Sequence, residues 1–255
     1  MEDGATARGN VNTVQRVGNT IRRPLGRWTP TVHALLRHLE EIGFAGAPRV
    51  LGIDEQGREV LSFLPGEVAR RPWPTVLRQD RGLTALAQLL REYHEAARGF
   101  MPPAGAQWCT PDVAWRPGHV VRHGDLGPWN SVWDGDRLVG LIDWDLAEPG
   151  HPLEDVAQLA WYAVPLRAAE HCRMAGFDQI PDQRTRLHAL CEVYGAGPRD
   201  VLDALVGLQA KELGRTIKLA RRGVEPWASF AALGDEEKFA ADTAWLASHY
   251  DRLLL

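Results

Sequence analysis

Apolar residues along this chain follow two different patterns, short runs typical of β-strands and the 3.6-residue repeat typical of helices. Residues 14–23 and 50–64 carry short β-type runs broken by Gly-containing turns. The segment between them, residues 29–43, has apolar side chains at helical spacing: Val32, Leu35, Leu36, Leu39 and Ile42. Gly43 is expected to end this helix. The first part of the chain is therefore predicted to form a small sheet with one helix.

The rest of the chain is predicted to be mainly helical. A proline-rich connection around Pro65, Pro72 and Pro74 comes first, and a helical pattern then covers residues 84–98. Val120-Val121 and a hairpin interrupt the helices; the hairpin pairs residues 131–133 with 138–142 through Asp134-Gly135-Asp136. Further helices are predicted at 153–164, 184–194, 199–222 and 236–253.

Charge and composition exclude several classes of function and location. The chain has 255 residues and a formal net charge of −4, which argues against nucleic acid as the main ligand, since phosphate backbones bind clustered positive charge. No apolar run of about 18 residues is present, and the opening MEDGATARGN lacks the features of a secretory signal. We expect a cytoplasmic protein without a membrane partner, and the three cysteines predict no disulfide framework.

Candidate chemistry is concentrated in the stretch from Val120 to Asp143, within the sequence VVRHGDLGPWNSVWDGDRLVGLIDWD. An apolar strand leads to Asp125, Asn130 follows five residues later, and Asp143 ends the returning strand. Phosphoryl transfer needs a carboxylate to orient the attacking hydroxyl and oxygen ligands to hold magnesium against the phosphates. These three side chains supply that set. The alternative is an Asp-rich β-hairpin in which Asp125 caps a turn.

The pattern His-x-Asp-x-x-x-x-Asn, followed by Ile-Asp-Trp-Asp, resembles the signature of the aminoglycoside phosphotransferase and choline kinase branch of the protein-kinase-like fold. The resemblance implies an α+β, two-lobed fold with a small N-terminal β-sheet lobe that carries one helix and a larger, mainly helical C-terminal lobe. The expected boundaries are residues 1–64 for the nucleotide-binding lobe, 65–68 for the hinge, and 69–255 for the lobe that binds the substrate and carries the catalytic residues.

The resemblance also implies roles for individual residues. Asp125 would be the catalytic aspartate, while Asn130 and Asp143 would bind Mg²⁺. His123 would be a structural member of the loop, and Asp155 would support that loop from beneath. On its own, Asp155 could equally be a carboxylate at a helix N-terminus.

A nucleoside triphosphate, ATP or possibly GTP, is the implied phosphate donor. Backbone groups near Phe63 and Leu64, which follow Ser62 at the predicted hinge, would meet the edge of the base. The loop Gly9-Asn10-Val11-Asn12-Thr13 would cover the phosphates, and Asn12 is the nucleotide-contacting residue predicted there.

Two parts of the family pattern are missing. No lysine precedes Lys211, so an arginine would have to bridge the phosphates in place of the usual strand lysine. Arg22 and Arg23 are adjacent on one predicted strand and point to opposite faces, so only one can reach the nucleotide; Arg22 is favoured. The partner glutamate is not apparent either, because the corresponding turn of the helix reads Thr31-Val32-His33.

The sequence thus predicts a kinase that phosphorylates a hydroxyl of a small molecule, with antibiotic inactivation as the favoured use. A metabolite kinase of the choline, homoserine or sugar type would use the same residues. A nucleotide-binding pseudokinase or immunity protein without turnover is the third alternative. No obligate protein partner is evident. Glu148 and Glu154 are interpreted as solvated helix ends rather than as a site for a polycation.

Overall fold

A computed structural model describes residues 6–8 and 13–255 of the chain. The chain divides into two compact units, one of residues 1–70 with 88–155 and the other of residues 71–87 with 156–255. The division into an N-terminal lobe (1–64), a hinge (65–68) and a C-terminal lobe (69–255) stays a prediction. None of the helices in the described part of the chain is both long and apolar enough to cross a membrane.

The first unit is built on an antiparallel sheet whose strand order is β1-β2-β3-β5-β4. Its strands are β1 (Thr6–Arg8), β2 (Thr13–Val17), β3 (Thr20–Pro24), β4 (Val50–Ile53) and β5 (Arg58–Ser62). Strand β3 therefore pairs with β5 and not with β4, the next strand along the chain.

The predicted helix between the strands is confirmed as α1 (Thr29–Glu41). Four residues of its apolar stripe, Val32, Leu35, Leu36 and Leu39, are buried, because side chains three and four positions apart share one face of a helix. Ile42, which the sequence placed on the same stripe, lies just beyond the helix and is half exposed. Gly43 has a φ of 80°, a left-handed conformation that stops the helix where the sequence predicted.

The same unit carries five further strands, which build the predicted loop and hairpin. They are β6 (Glu67–Val68), β7 (Val120–Arg122), β8 (Ser131–Asp134) and β9 (Arg137–Leu141), and β10 (Glu148–Gly150) pairs with β7. The hairpin of β8 and β9 is confirmed, and its turn is tighter than predicted because Asp134 already pairs with Arg137. Strands β6 and β10 had no clear signal in the sequence.

Helices make up most of the remainder, so the α+β class is confirmed. They are α2 (Thr75–Arg78), α3 (Asp80–Ala97), α4 (Pro152–Ala163), α5 (Ala169–Met174), α6 (Gln183–Tyr194), α7 (Pro198–Ala220), α8 (Trp227–Ala232) and α9 (Asp235–Leu254). The long helices agree with the predictions to within a few residues. The short helices α2, α5 and α8 were not predicted, because they are too short to show a helical period in the sequence.

Candidate active site

Strand β7 leads directly into a loop that begins with His123, Gly124 and Asp125. Gly124 has a φ of 80°, and a Cβ atom there would lie 2.0 Å from the carbonyl oxygen of Leu146. Only glycine permits this close approach of the two backbones. Leu146 ends the short 3₁₀ turn that follows Asp143, so the glycine brings this loop against the segment after β9.

Asp125 and Asn130 are in direct contact, as the sequence predicts. The Nδ2 atom of Asn130 donates to Oδ2 of Asp125 and to the carbonyl oxygen of Asp125, both at 2.8 Å. Asn130 is buried, whereas Asp125 is partly accessible. Because the amide nitrogen is committed to Asp125, its oxygen is the atom through which Asn130 would bind a cation.

His123 links the loop after β7 to the end of β9. Its buried ring contacts the carbonyl oxygen of Ile142 through Nε2 at 3.0 Å, and its Nδ1 accepts a hydrogen bond from the backbone N–H of Asp125 at 3.3 Å. These two bonds require a neutral ring with the proton on Nε2. Burial lowers the pKa of His123, which favours the same neutral form. Its geometry fits the structural role that the resemblance implies.

Asp155 is completely buried under the same loop. Its carboxylate accepts hydrogen bonds from the backbone N–H groups of His123 at 2.7 Å and Gly124 at 3.2 Å, and it contacts Nε2 of His94 at 3.2 Å. Burial opposes its ionisation, but the hydrogen bond and charge of His94, with the charge of Arg122, outweigh burial and lower the pKa of Asp155. The carboxylate therefore holds the loop backbone in place.

Asp143 lies just beyond β9 with a left-handed backbone (φ 64°, ψ 67°). Its side chain is 52% exposed, and Oδ1 is 3.1 Å from Nη1 of Arg23. Asp145, two residues later, contacts Nη2 of the same arginine at 2.8 Å. Burial, together with the charge of Asp143, raises the pKa of Asp145 against the effect of Arg23.

Arg23, and not the favoured Arg22, reaches the end of β9. Its buried guanidinium also contacts Glu59, with Nε 2.5 Å from Oε1. Burial alone would lower the pKa of Arg23, but the charges of Asp145, Asp143 and Glu59 raise it overall. Arg22 instead pairs with Asp54 at 3.1 Å.

Glu59 and His33 were not recognised as site residues in the sequence. The second carboxylate oxygen of Glu59 is 2.7 Å from Nε2 of His33 on α1, and both side chains are buried. An arginine–glutamate brace is thus present, although its glutamate comes from β5 instead of the helix. The one available signal in the sequence was the charged Glu59 between Arg58 and the apolar Val60. This pattern does not indicate which residue Glu59 pairs with.

The residues predicted to contact the base, just before the hinge, already make some contacts within the protein. Ser62 exchanges hydrogen bonds with the backbone of Arg49, and the N–H of Phe63 donates to the carbonyl oxygen of Asn19 at 2.9 Å. The ring of Phe63 is covered by the guanidinium of Arg16 at 3.8 Å. In the described part of the chain, no hydrogen bond of the Leu64 N–H is found. Residues 9–12 of the predicted phosphate-covering loop, which include Asn12, lie outside the described residues, and Thr13 begins β2.

Of the two acidic residues that the sequence suggested as solvated helix ends, Glu154 does lie in the first turn of α4 and is partly exposed, but Glu148 does not fit that interpretation. Glu148 is completely buried on β10, directly opposite Arg122 on β7, and the two side chains form a short ion pair. Glu154 contacts Nε of Arg122 at 3.3 Å. The pairing of β7 with β10, which sequence patterns did not reveal, is the reason for this burial.

The residues at the end of β9 fit a magnesium ion. Glu59, Asp143 and Asp145 surround a single guanidinium, so carboxylates are in excess around Arg23. Carboxylate and amide oxygens are ligands that Mg²⁺ takes in small numbers, with phosphate and water oxygens completing its shell. In the described part of the chain, no three His, Cys, Asp or Glu side chains form a ligand set by themselves. An ion between Asn130 and Asp143 would thus need further oxygens from a nucleotide.

Comparisons with known proteins agree with this architecture. A choline/ethanolamine kinase family protein from Mesorhizobium loti has a similar structure, with a TM-score of 0.63, 16% identity, and coverage of 98% of this chain and 91% of that protein. The amicoumacin kinase hAmiN, solved with AMP-PNP, Ca²⁺ and Ami, has a TM-score of 0.61 at 12% identity and covers 93% and 87% of the two chains. The fold is therefore protein-kinase-like, as predicted.

Sequence relationships identify the family. The model of a phosphotransferase enzyme family matches residues 104–190, which include Asp125, Asn130, Asp143 and Asp155. The trifolitoxin immunity protein of Rhizobium leguminosarum bv. trifolii is 36% identical over 196 residues, or 73% of this chain and 72% of that protein. The chain belongs to the phosphotransferase enzyme family.

Proposed function

We propose that this protein transfers the γ-phosphoryl group of a magnesium-bound nucleoside triphosphate to a hydroxyl of a small toxin or antibiotic. The contact between Asp125 and Asn130, held next to Asp143 by His123, is the observation that carries the proposal. It joins a carboxylate that can orient a hydroxyl to two oxygen ligands for a metal, on one rigid loop and hairpin.

In the proposed reaction, Asp125 accepts the hydrogen bond of the acceptor hydroxyl and takes its proton as the hydroxyl oxygen bonds to the γ-phosphorus. The bond from that phosphorus to the bridging oxygen breaks, and the nucleoside diphosphate leaves. Asn130 and Asp143 would hold Mg²⁺, which neutralises the charge of the phosphates. The hydrogen bond from Asn130 keeps the Asp125 carboxylate in place.

Arg23 would take the place of the missing strand lysine. A guanidinium has five N–H groups, and the contacts with Glu59, Asp143 and Asp145 need only three of them. Two donors therefore remain for phosphate oxygens, which a guanidinium binds well because of its forked geometry. After β5, the Leu64 N–H would donate a hydrogen bond to the base. The N–H groups of Ser62 and Phe63 already donate to the backbone carbonyl oxygens of Arg49 and Asn19.

The choice of acceptor rests on the relative that is named for immunity to trifolitoxin. A protein that protects its cell from a toxin can do so by modifying it, and the site described above offers a modifying chemistry. The name amicoumacin kinase, on a protein of the same fold, points to the same class of acceptor. A non-catalytic immunity protein, which would only bind, has no evident need for Asp125, Asn130 and Asp143 together.

The test is to incubate the purified protein with Mg-ATP or Mg-GTP and a panel of peptide toxins, aminoglycosides, choline, homoserine and sugars. Mass spectrometry should show a gain of one phosphate on a toxin or antibiotic, and no gain with the Asp125→Ala variant. Transfer only to a metabolite would replace the proposed acceptor class. Nucleotide binding without transfer to any acceptor would favour the non-catalytic alternative.

A further inference from the structure

Trp129 lies in the short 3₁₀ turn Pro128–Asn130, between the catalytic aspartate and the start of β8. Its indole Nε1 donates a hydrogen bond to Oδ2 of Asp125 at 3.3 Å. This is the same oxygen that accepts from Nδ2 of Asn130 at 2.8 Å. Two donors from one turn therefore converge on a single carboxylate oxygen.

Gly127 makes room for this indole. A Cβ atom on Gly127 would lie 2.3 Å from Cζ2 of Trp129 and 2.4 Å from Cε2 and Cη2, which is far inside van der Waals contact. The backbone of Gly127 has φ −111° and ψ 161°, an extended conformation that any residue adopts. The chain therefore needs glycine at this position because the indole rests on it, and not because of its backbone angles.

We propose that Trp129, seated on Gly127, is a positioning residue for Asp125. The proposal rests on the proposed function, in which Asp125 orients the acceptor hydroxyl. Two hydrogen bonds to Oδ2 fix the rotation of the carboxylate. The Asp125 carboxylate therefore has the same orientation toward each substrate hydroxyl. Loss of the indole N–H should lower kcat and leave the KM for nucleotide unchanged, because this bond acts on Asp125 and not on the phosphate-binding side of the site.

The hydrogen bond itself can be tested without any acceptor. In protein with ¹⁵N-labelled tryptophan, the indole N–H signal of Trp129 is assigned from the Trp129→Phe variant. Asp125→Asn should shift that signal, because it replaces a charged acceptor with a neutral one. Trp161 is a matched control, since its Nε1 donates to Oδ2 of Asp242 at 3.0 Å. Asp242→Asn should shift the Trp161 signal and leave the Trp129 signal in place.

Kinetics then test the positioning role. Trp129→Phe should lower kcat about tenfold, with the KM for nucleotide within about twofold of the wild type. Gly127→Ala should lower kcat by a similar factor. When Gly127→Ala is combined with Trp129→Ala, kcat should not fall further, because the indole that the new methyl group would displace is already absent. Trp161→Phe should lower the melting temperature and leave kcat within about twofold.

The outcomes separate the two proposals. An unmoved Trp129 signal in Asp125→Asn, an unchanged kcat in Trp129→Phe, or additive losses from Gly127→Ala and Trp129→Ala would each overturn the role of Trp129. If the wild type transfers phosphate to no acceptor, the proposed function fails, while the signal of Trp129 still reports whether the hydrogen bond exists.

Discussion

Arg23 and Glu59 lie directly opposite each other on the antiparallel strands β3 and β5, and their side chains form an ion pair. Glu59 also contacts His33, so the strand arginine is connected through one carboxylate to helix α1. Kinases of this fold usually brace a strand lysine with a helix glutamate. Here the same bracing is built from an arginine, a glutamate on the neighbouring strand, and a histidine on the helix.

The first prediction separates the two arginines of β3. Arg23→Lys should raise the KM for nucleotide about tenfold, because one ammonium group cannot contact three carboxylates and phosphate in the geometry of a guanidinium. Arg22→Lys is the matched control, and its KM should stay within about twofold, since Arg22 pairs with Asp54. Initial-rate kinetics give both values. A loss confined to Arg22→Lys would restore Arg22 as the phosphate-binding residue.

The second prediction concerns the stability that Glu59 provides. Glu59→Gln should lower the free energy of unfolding by about 3 kcal/mol, because it leaves a buried guanidinium with one fewer carboxylate. Glu40→Gln removes the partner of Arg49 at an exposed site and should change the free energy of unfolding by less than about 0.5 kcal/mol. Urea denaturation measures both. Equal effects of the two substitutions would show that the buried brace contributes no more than a surface pair.

Local spacing predicted much of the site, because its parts are close in sequence. The five-residue interval from Asp125 to Asn130 and the return of β9 to Asp143 are properties of one loop and one hairpin. The Arg23–Glu59 pair depends on which strands are neighbours and in which register, and β4 separates β3 from β5 in the chain but not in the sheet. The burial of Glu148 depends in the same way on the pairing of β10 with β7.

The third prediction follows from the lowered pKa of Asp155. A carboxyl group with a folded-state pKa below its unfolded value stabilises the fold above the unfolded pKa of about 4, and this contribution is lost as the pH falls through the folded-state pKa. Asp155→Asn should therefore cost about 2–4 kcal/mol at pH 7, since one amide oxygen cannot replace a carboxylate that accepts from two backbone N–H groups.

Urea denaturation between pH 7 and pH 3 checks this prediction. The difference in unfolding free energy between the wild type and Asp155→Asn should be largest at neutral pH and shrink below about pH 4. Asp134→Asn is the control, because Asp134 is an exposed carboxylate that pairs with Arg137 at the surface. A difference that grows as the pH falls would contradict the assigned charge state of Asp155.

The fourth prediction tests Asp143 as a metal ligand. Asp143→Ala should weaken nucleotide binding about tenfold or more in the presence of Mg²⁺ and have little effect when EDTA is present. Asp134→Ala, at the other end of the same hairpin, removes an exposed aspartate that pairs with Arg137 and should leave binding unchanged. Calorimetric titration with a non-hydrolysable nucleotide measures these affinities. Equal losses with and without Mg²⁺ would argue against a metal at Asp143.

Asp125 is proposed to act in phosphoryl transfer and not in nucleotide binding. The most direct measurement compares the wild type with Asp125→Ala in two assays, the transfer of labelled γ-phosphate to the acceptor and the affinity for Mg-nucleotide. We predict that the substitution abolishes transfer and changes the affinity by less than about twofold. Transfer that continues at the wild-type rate in Asp125→Ala would contradict the proposed site.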